Sequence, residues 1–233
     1  MKIAIMQPYL FPYIGYWQLI GAVDKFVIYD DIQYEKSGWM RRNRILVNGN
    51  DKLFSVPVAK GSDYADVCDR KIAEDYIKEV HRILGIIKSN YCKAPFFEIV
   101  YPVLEECFTY KSNNLFEYIY YSVMKLCEYM DIKTEIVVSS TLDIDKTLKK
   151  EYRVLEICKA LAADTYINPI GGKDLYSKEQ FRNDGIELQF LKSNLSSYEQ
   201  GTKEFIPALS IIDLLMRLSR DEIKEQLQDY SIL

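Results

Sequence analysis

Short unbroken apolar runs alternate along the chain with longer stretches in which apolar residues recur every three or four positions. KIAIM (2–6) and KFVIYDD (25–31) have the length and branched content of buried strands. IGYWQLIGAV (14–23) lies between them and sets Ile14, Trp17 and Ile20 on one side of a helix. Strand, helix and strand within about thirty residues predict a βαβ unit and a parallel sheet. RILVNGNDKLFSVPV breaks this rhythm: two β-rich runs flank Asn48-Gly49-Asn50, a hairpin signature. From 74 to 130 the period is helical, as in DYIKEVHRILGIIKSNY and NNLFEYIYYSVMKLCEYM. Asn113 or Asn114 is placed to cap the second of these. A helix between them, from about 94 to 110, takes Pro95 in its first turn and is kinked by Pro102.

The strand pattern resumes with TEIVVSS (134–140), DTYINP (164–169) and GIELQFL (185–191), separated by EYRVLEICKALAA and KEQFRND as helices. The segments 210–218 and 220–230 read as closing helices. The expected fold is α/β: one parallel sheet flanked by helices, with an inserted β-hairpin and helical segment. One domain over 1–233 is expected, its core near 1–60 and 134–233 and the helical insertion near 74–130.

Composition adjusts this picture in four ways. Net charge is −4 and pI about 5.3, so nothing pulls the whole chain toward nucleic acid or an acidic membrane surface. Any anion site must be a local cluster. No apolar run is long enough for a bilayer, and Pro8 and Pro12 interrupt the first hydrophobic stretch where a signal helix would stand, so a cytoplasmic location is expected. Five cysteines are scattered with no CxxC, three on helical apolar stripes, and read as reduced, mostly buried residues. His81 is the only histidine; it reads as a helix-surface residue, and its solitude removes most Ser-His-Asp and Cys-His arrangements.

Ligands of parallel sheets bind beyond the carboxyl ends of the strands. Four unusual segments fall there. The first, QPYLFPYIGYW, offers Gln7, Tyr9, Tyr13 and Tyr16 as pocket walls, and Gly15 as a point of close approach at a helix start. The second carries Asp30 and Asp31, then Gln33; a carboxylate here could hold an amine, sugar hydroxyls or a metal, or act as a base. Alternation along a strand predicts that only one of the two aspartates faces a given cleft. The third is Ser139-Ser140-Thr141. The fourth, NPIGGK, offers Gly171, Gly172 and Lys173 as an anion cradle without P-loop spacing. SGWMRRNRI adds the one dense basic cluster, Arg41, Arg42 and Arg44 with Asn43 and Trp39. Arginine forks suit phosphate and the indole suits a base or sugar.

MQPYLFPYIGYWQLI, VIYDDIQYEKSGWMRRNRI, FSVPV, YINPIGGKDLY, GIELQFL and EFIPALSIIDLLM together resemble the WbqC-like family. The resemblance runs nearly end to end. It implies a bacterial component of O-antigen or other surface-polysaccharide synthesis, transferring an amino acid such as glycine to an amino sugar. The layout also bears a distant likeness to nucleotidyltransferase-like folds, with Tyr13 and Tyr16 where those carry the histidines of an HxGH loop.

Three readings follow. An acyl- or aminoacyltransferase would act on a nucleotide-linked or lipid-linked amino sugar. Its base would be Asp30 or Asp31, its phosphate contacts Arg41, Arg42 and Arg44, and Lys173 with its glycines would meet ATP if the acid is activated. A nucleotidyltransferase-like enzyme would use ATP or CTP with magnesium at Asp30 or Asp31. A non-catalytic protein would bind nucleotide-sugars in the same pathway.

Overall fold

The computed structural model describes residues 1–233. Strands β1 (Lys2–Met6), β2 (Lys25–Ile28), β5 (Glu135–Val138), β6 (Thr165–Pro169), β7 (Glu187–Ser193) and β8 (Tyr230–Ile232) form one sheet in the order β5-β2-β1-β6-β7-β8. All neighbours are parallel except β7 and β8. Strands β3 (Arg42–Val47) and β4 (Asn50–Ser55) form a separate antiparallel hairpin. Its turn residues Asn48 and Gly49 have φ of 51° and 79°, the pair of positive values that a two-residue primed turn needs.

Period-two alternation divides the apolar residues between two layers. Ile3, Ile5, Val27 and Tyr166 pack against α5 (Lys150–Ala160) and α6 (Lys178–Asn183). Ala4, Phe26, Ile28 and Ile167 face α1 (Ile14–Gly21), α7 (Ile211–Arg217) and α8 (Arg220–Gln228). This second cluster continues through the hairpin into α2 (Tyr76–Tyr91), α3 (Phe97–Thr109) and α4 (Leu115–Tyr129). The hairpin and α2–α4 all lie in the connection from β2 to β5. Asn114 caps α4 by accepting from Glu117 N–H at 3.0 Å, and Gly185, at φ 74°, follows α6.

Two expectations change. The chain end is not wholly helical: after Gln228 it turns into β8, which pairs antiparallel with β7, so the sheet is mostly rather than entirely parallel. Helix α3 begins at Phe97, leaving Pro95 ahead of its first turn, while Pro102 does lie inside it.

After β1 the chain steps outward to β2 and β5, then returns to the other side of β1 with β6. The sheet order thus reverses between β1 and β6, where α/β sheets open a crevice at their carboxyl edge. Residues after β1, β2, β5 and β6 share that edge.

Candidate active site at the carboxyl edge of the sheet

The loop after β1 is fastened from several directions. Asn43 on β3 is buried and donates to Leu10 O (3.0 Å) and Phe11 O (2.9 Å). Ser210, the N-cap of α7, donates to Phe11 O at 2.7 Å, and Trp17 Nε1 donates to Pro12 O at 3.0 Å. These bonds hold Phe11 at φ 44°, a left-handed conformation unusual for a bulky side chain. Tyr16 is a core ring, edge-on to Phe26 and donating to Gln7 O at 3.0 Å. Gly15 does permit a close approach, but the approaching group is the ring of Tyr13: a Cβ on Gly15 would lie 2.5 Å from it. Tyr9 stays partly exposed, with its hydroxyl 3.3 Å from Gln7 Oε1. Burial first, then the charge of Glu35, push its phenol pKa up to about 12.

Both aspartates after β2 converge on the turn after β5. Strand β2 ends at Ile28, so the alternation expected to separate Asp30 from Asp31 no longer holds. Asp30 is 1% exposed and accepts from Ser140 N–H (2.9 Å) and Ser140 Oγ (2.7 Å). Ser139 Oγ lies 2.9 Å from Asp30 Oδ1 and also contacts Asp31 Oδ1. Asp31 Oδ2 accepts from Arg153 Nη2 at 2.5 Å, an ion pair with an arginine only 2% exposed. Arg153 comes from α5 and also donates to Asp145 O at 2.7 Å. Tyr29 sits beside this pair, its phenol raised mainly by burial while Arg153 opposes the shift.

Residues 66–69 approach the same place, because Cys68 N–H donates to Asp30 O (3.1 Å) and Val67 N–H to Ile32 O (2.9 Å). This brings Asp66 and Asp69 to the strand-end pair. Burial raises the Asp66 carboxyl above its ordinary value, and the charges of Asp69, Asp31 and Asp30 reinforce the shift against Lys149. The Cys68 thiol is pushed up to about 11 by burial and then by the four aspartates, so it is a poor nucleophile. No three His, Cys, Asp or Glu side chains are arranged so as to hold a metal ion by themselves.

The basic cluster divides. Arg42 and Arg44 flank Trp39, each guanidinium 5.9 Å from its ring, and Arg44 pairs with Asp51. Arg42 is further occupied by Gly38 O at 3.0 Å. Arg41, just ahead of β3 and one residue out of phase with Arg42 and Arg44, turns instead into a groove with Tyr34, Lys36, Lys60 and Arg70. Gln33 is exposed and donates to Asp63 O. Gly171, Gly172 and Lys173 form a 3-10 turn after β6; Gly172 packs under the buried Asn168 amide, and Lys173 is exposed.

The sequence reading missed Asp66, Asp69 and Arg153. Their signals were an acid-rich loop, DYADVCDR, outside any periodic segment, and an arginine four residues before Ile157 on a helix's apolar stripe. In EFIPALSIIDLLM, Asp213 is fully buried and accepts from Tyr91 OH (2.9 Å) and Tyr198 OH (2.7 Å), so this motif marks an interior network.

Fold and site together define an α/β protein with a mostly parallel sheet whose strand-end loops gather carboxylates. The WbqC-like protein family matches residues 7–225, and the chain belongs to that family. It is also similar to Uncharacterized protein Rv1507c of Mycobacterium tuberculosis (strain ATCC 25618 / H37Rv), 28% identical over 224 residues, covering 94% of this chain and 95% of that protein. No solved structure matches.

Proposed function

We propose that this protein is a transferase that joins an acyl or aminoacyl group, such as glycine, to the amine of an amino sugar in surface-polysaccharide or O-antigen assembly. Family membership supports the pathway. The observation that carries the chemistry is the gathering of Asp30, Asp31, Asp66 and Asp69 at the carboxyl ends of β2 and β5. Carboxylates attract a protonated amine and can then relieve it of its proton. In this reading Asp30 and Asp31 are positioning residues, held by Ser139, Ser140 and Arg153. Asp66 is the base: its side chain is not tied into that network, and its raised pKa brings it closer to neutral pH. The ammonium first loses one proton to bulk water; the amine lone pair then attacks the acyl carbonyl and forms the C–N bond. The bond to the leaving group breaks with its electron pair, and Asp66 takes the N–H proton.

The test is incubation with nucleotide-linked and lipid-linked amino sugars and activated acyl donors, with amide product read by mass spectrometry. Asp66→Asn should lower kcat by about a hundredfold or more, the usual contribution of a general base, without lowering Tm, because it removes a carboxylate that burial and like charges disfavour. Absence of amide product from every pairing, or full activity of the variant, overturns the reading.

A further inference from the structure

The groove beside the aspartates has the opposite charge. It is open, about 560 Å³, and Lys36, Arg41, Lys60 and Arg70 line it together with Tyr34 and no carboxylate. Arg70 is the informative member. It is 5% exposed, and its guanidinium lies 4.7 Å from the Tyr34 ring centroid. Its two Nη atoms donate to Ser62 O (2.9 Å) and Ala59 O (3.0 Å), while Nε has no acceptor. Neither Arg70, Arg41 nor Lys60 has an ion-pair partner; Lys36 pairs with Asp63. Removing a cation from water is costly unless an opposite charge compensates it. A basic patch lying on a surface would leave its charges solvated, whereas here the fold buries one and directs others toward it.

The wall is built rather than loose. Ala59 N–H donates to Lys71 O at 2.8 Å, and Val58 bridges to Ile72. A Cβ on Gly61 would lie 2.8 Å from Arg70 Nη1, so glycine lets the loop rest against the guanidinium. Asp63, paired with Lys36, lies near Arg70 and sets a single negative charge against the four cations of the groove. We infer that the groove binds the diphosphate of a diphosphate ester, whose negative charges supply the remaining counter-charge. The loop that carries Asp66 and Asp69 runs directly into Arg70, so one segment of chain borders both the acidic and the basic groups. A molecule carrying an amine at one end and a diphosphate at the other matches both. This extends the transferase reading, but it is a statement about binding and is tested without turnover.

Two sources share this chemistry: a soluble nucleoside diphosphate and a lipid-linked diphosphate. Isothermal titration with UDP tests the first. Flotation with phosphatidylcholine vesicles containing a polyprenyl diphosphate, against vesicles lacking it, tests the second. Binding in either arm is expected, and it should weaken about tenfold in Arg41→Gln and in Lys60→Gln, the scale of one charge-assisted hydrogen bond. Lys52→Gln, at the exposed end of the hairpin, should bind as the unaltered protein does. No binding in both arms, or equal binding by all three variants, overturns the inference. Binding with no amide product would uphold the groove and sink only the transferase.

Discussion

At the scale of single residues, the ion pair of Asp31 with Arg153 is an interaction whose loss should be costly. Arg153 reaches the site from α5 with its charge almost entirely out of water. Asp31→Ala leaves that charge without its partner, a defect that typically costs about 3–5 kcal/mol. Urea denaturation should show this loss, and the double variant Asp31→Ala/Arg153→Met should lose less than the sum of the two single changes. A single-variant cost under about 1 kcal/mol would mean that water compensates the arginine. Gly15 poses a different balance. Alanine gains up to about 1 kcal/mol of helix preference over glycine, but its Cβ displaces the Tyr13 ring. Gly15→Ala should therefore change stability by less than about 1 kcal/mol while exposing Tyr13. Burial now raises the Tyr13 phenol pKa, so the variant should return it toward the ordinary 10, measurable by NMR with labelled tyrosine.

At the scale of elements, the strands were legible because buried strands of a parallel sheet are apolar on both faces, and KIAIM and KFVI meet that condition. The hairpin was legible because Asn48-Gly49 is suited to two positive φ angles. β8 was not, because three residues containing a serine, following directly on an amphipathic helix, have no pattern of their own. The site was legible by place more than by role. Segments after β1, β2, β5 and β6 do share one edge, since parallel neighbours end together. Asn43 and Tyr16, however, serve as clamp and core, because long-range partners at Leu10, Phe11 and Gln7 claim their polar atoms. The arginine cluster illustrates the limit. Its spacing suggested one phosphate grip, but period-two geometry sends Arg41 one way and Arg42 and Arg44 the other.

At the scale of the whole molecule, acid sensitivity follows from exposed carboxylates held below their ordinary values. A hydrogen bond from Lys36 lowers Asp63, one from Lys133 lowers Asp131, and one from the chain amine lowers Asp164. Their folded-state pKa values lie below the unfolded 3.8, so their stabilisation is present above that pH and is lost as pH falls through the folded values. Asp66 acts in the opposite sense: its raised value makes protonation favour the folded state. The lowered groups outnumber it, so the urea midpoint should fall below about pH 4, and Asp164→Asn should flatten the decline. A midpoint that held steady through this range would contradict the assignment. The loop after β1 has a further consequence. It is anchored by β3, α1 and α7 at once, and no part of it waits for a ligand in order to fold. In the proposed reading, a substrate that reaches this loop meets a finished surface, and none of its affinity is consumed in ordering that floor. In that reading, selectivity at the floor comes from exchanging side chains such as Tyr9 and Tyr13, because the anchored backbone is not free to adapt.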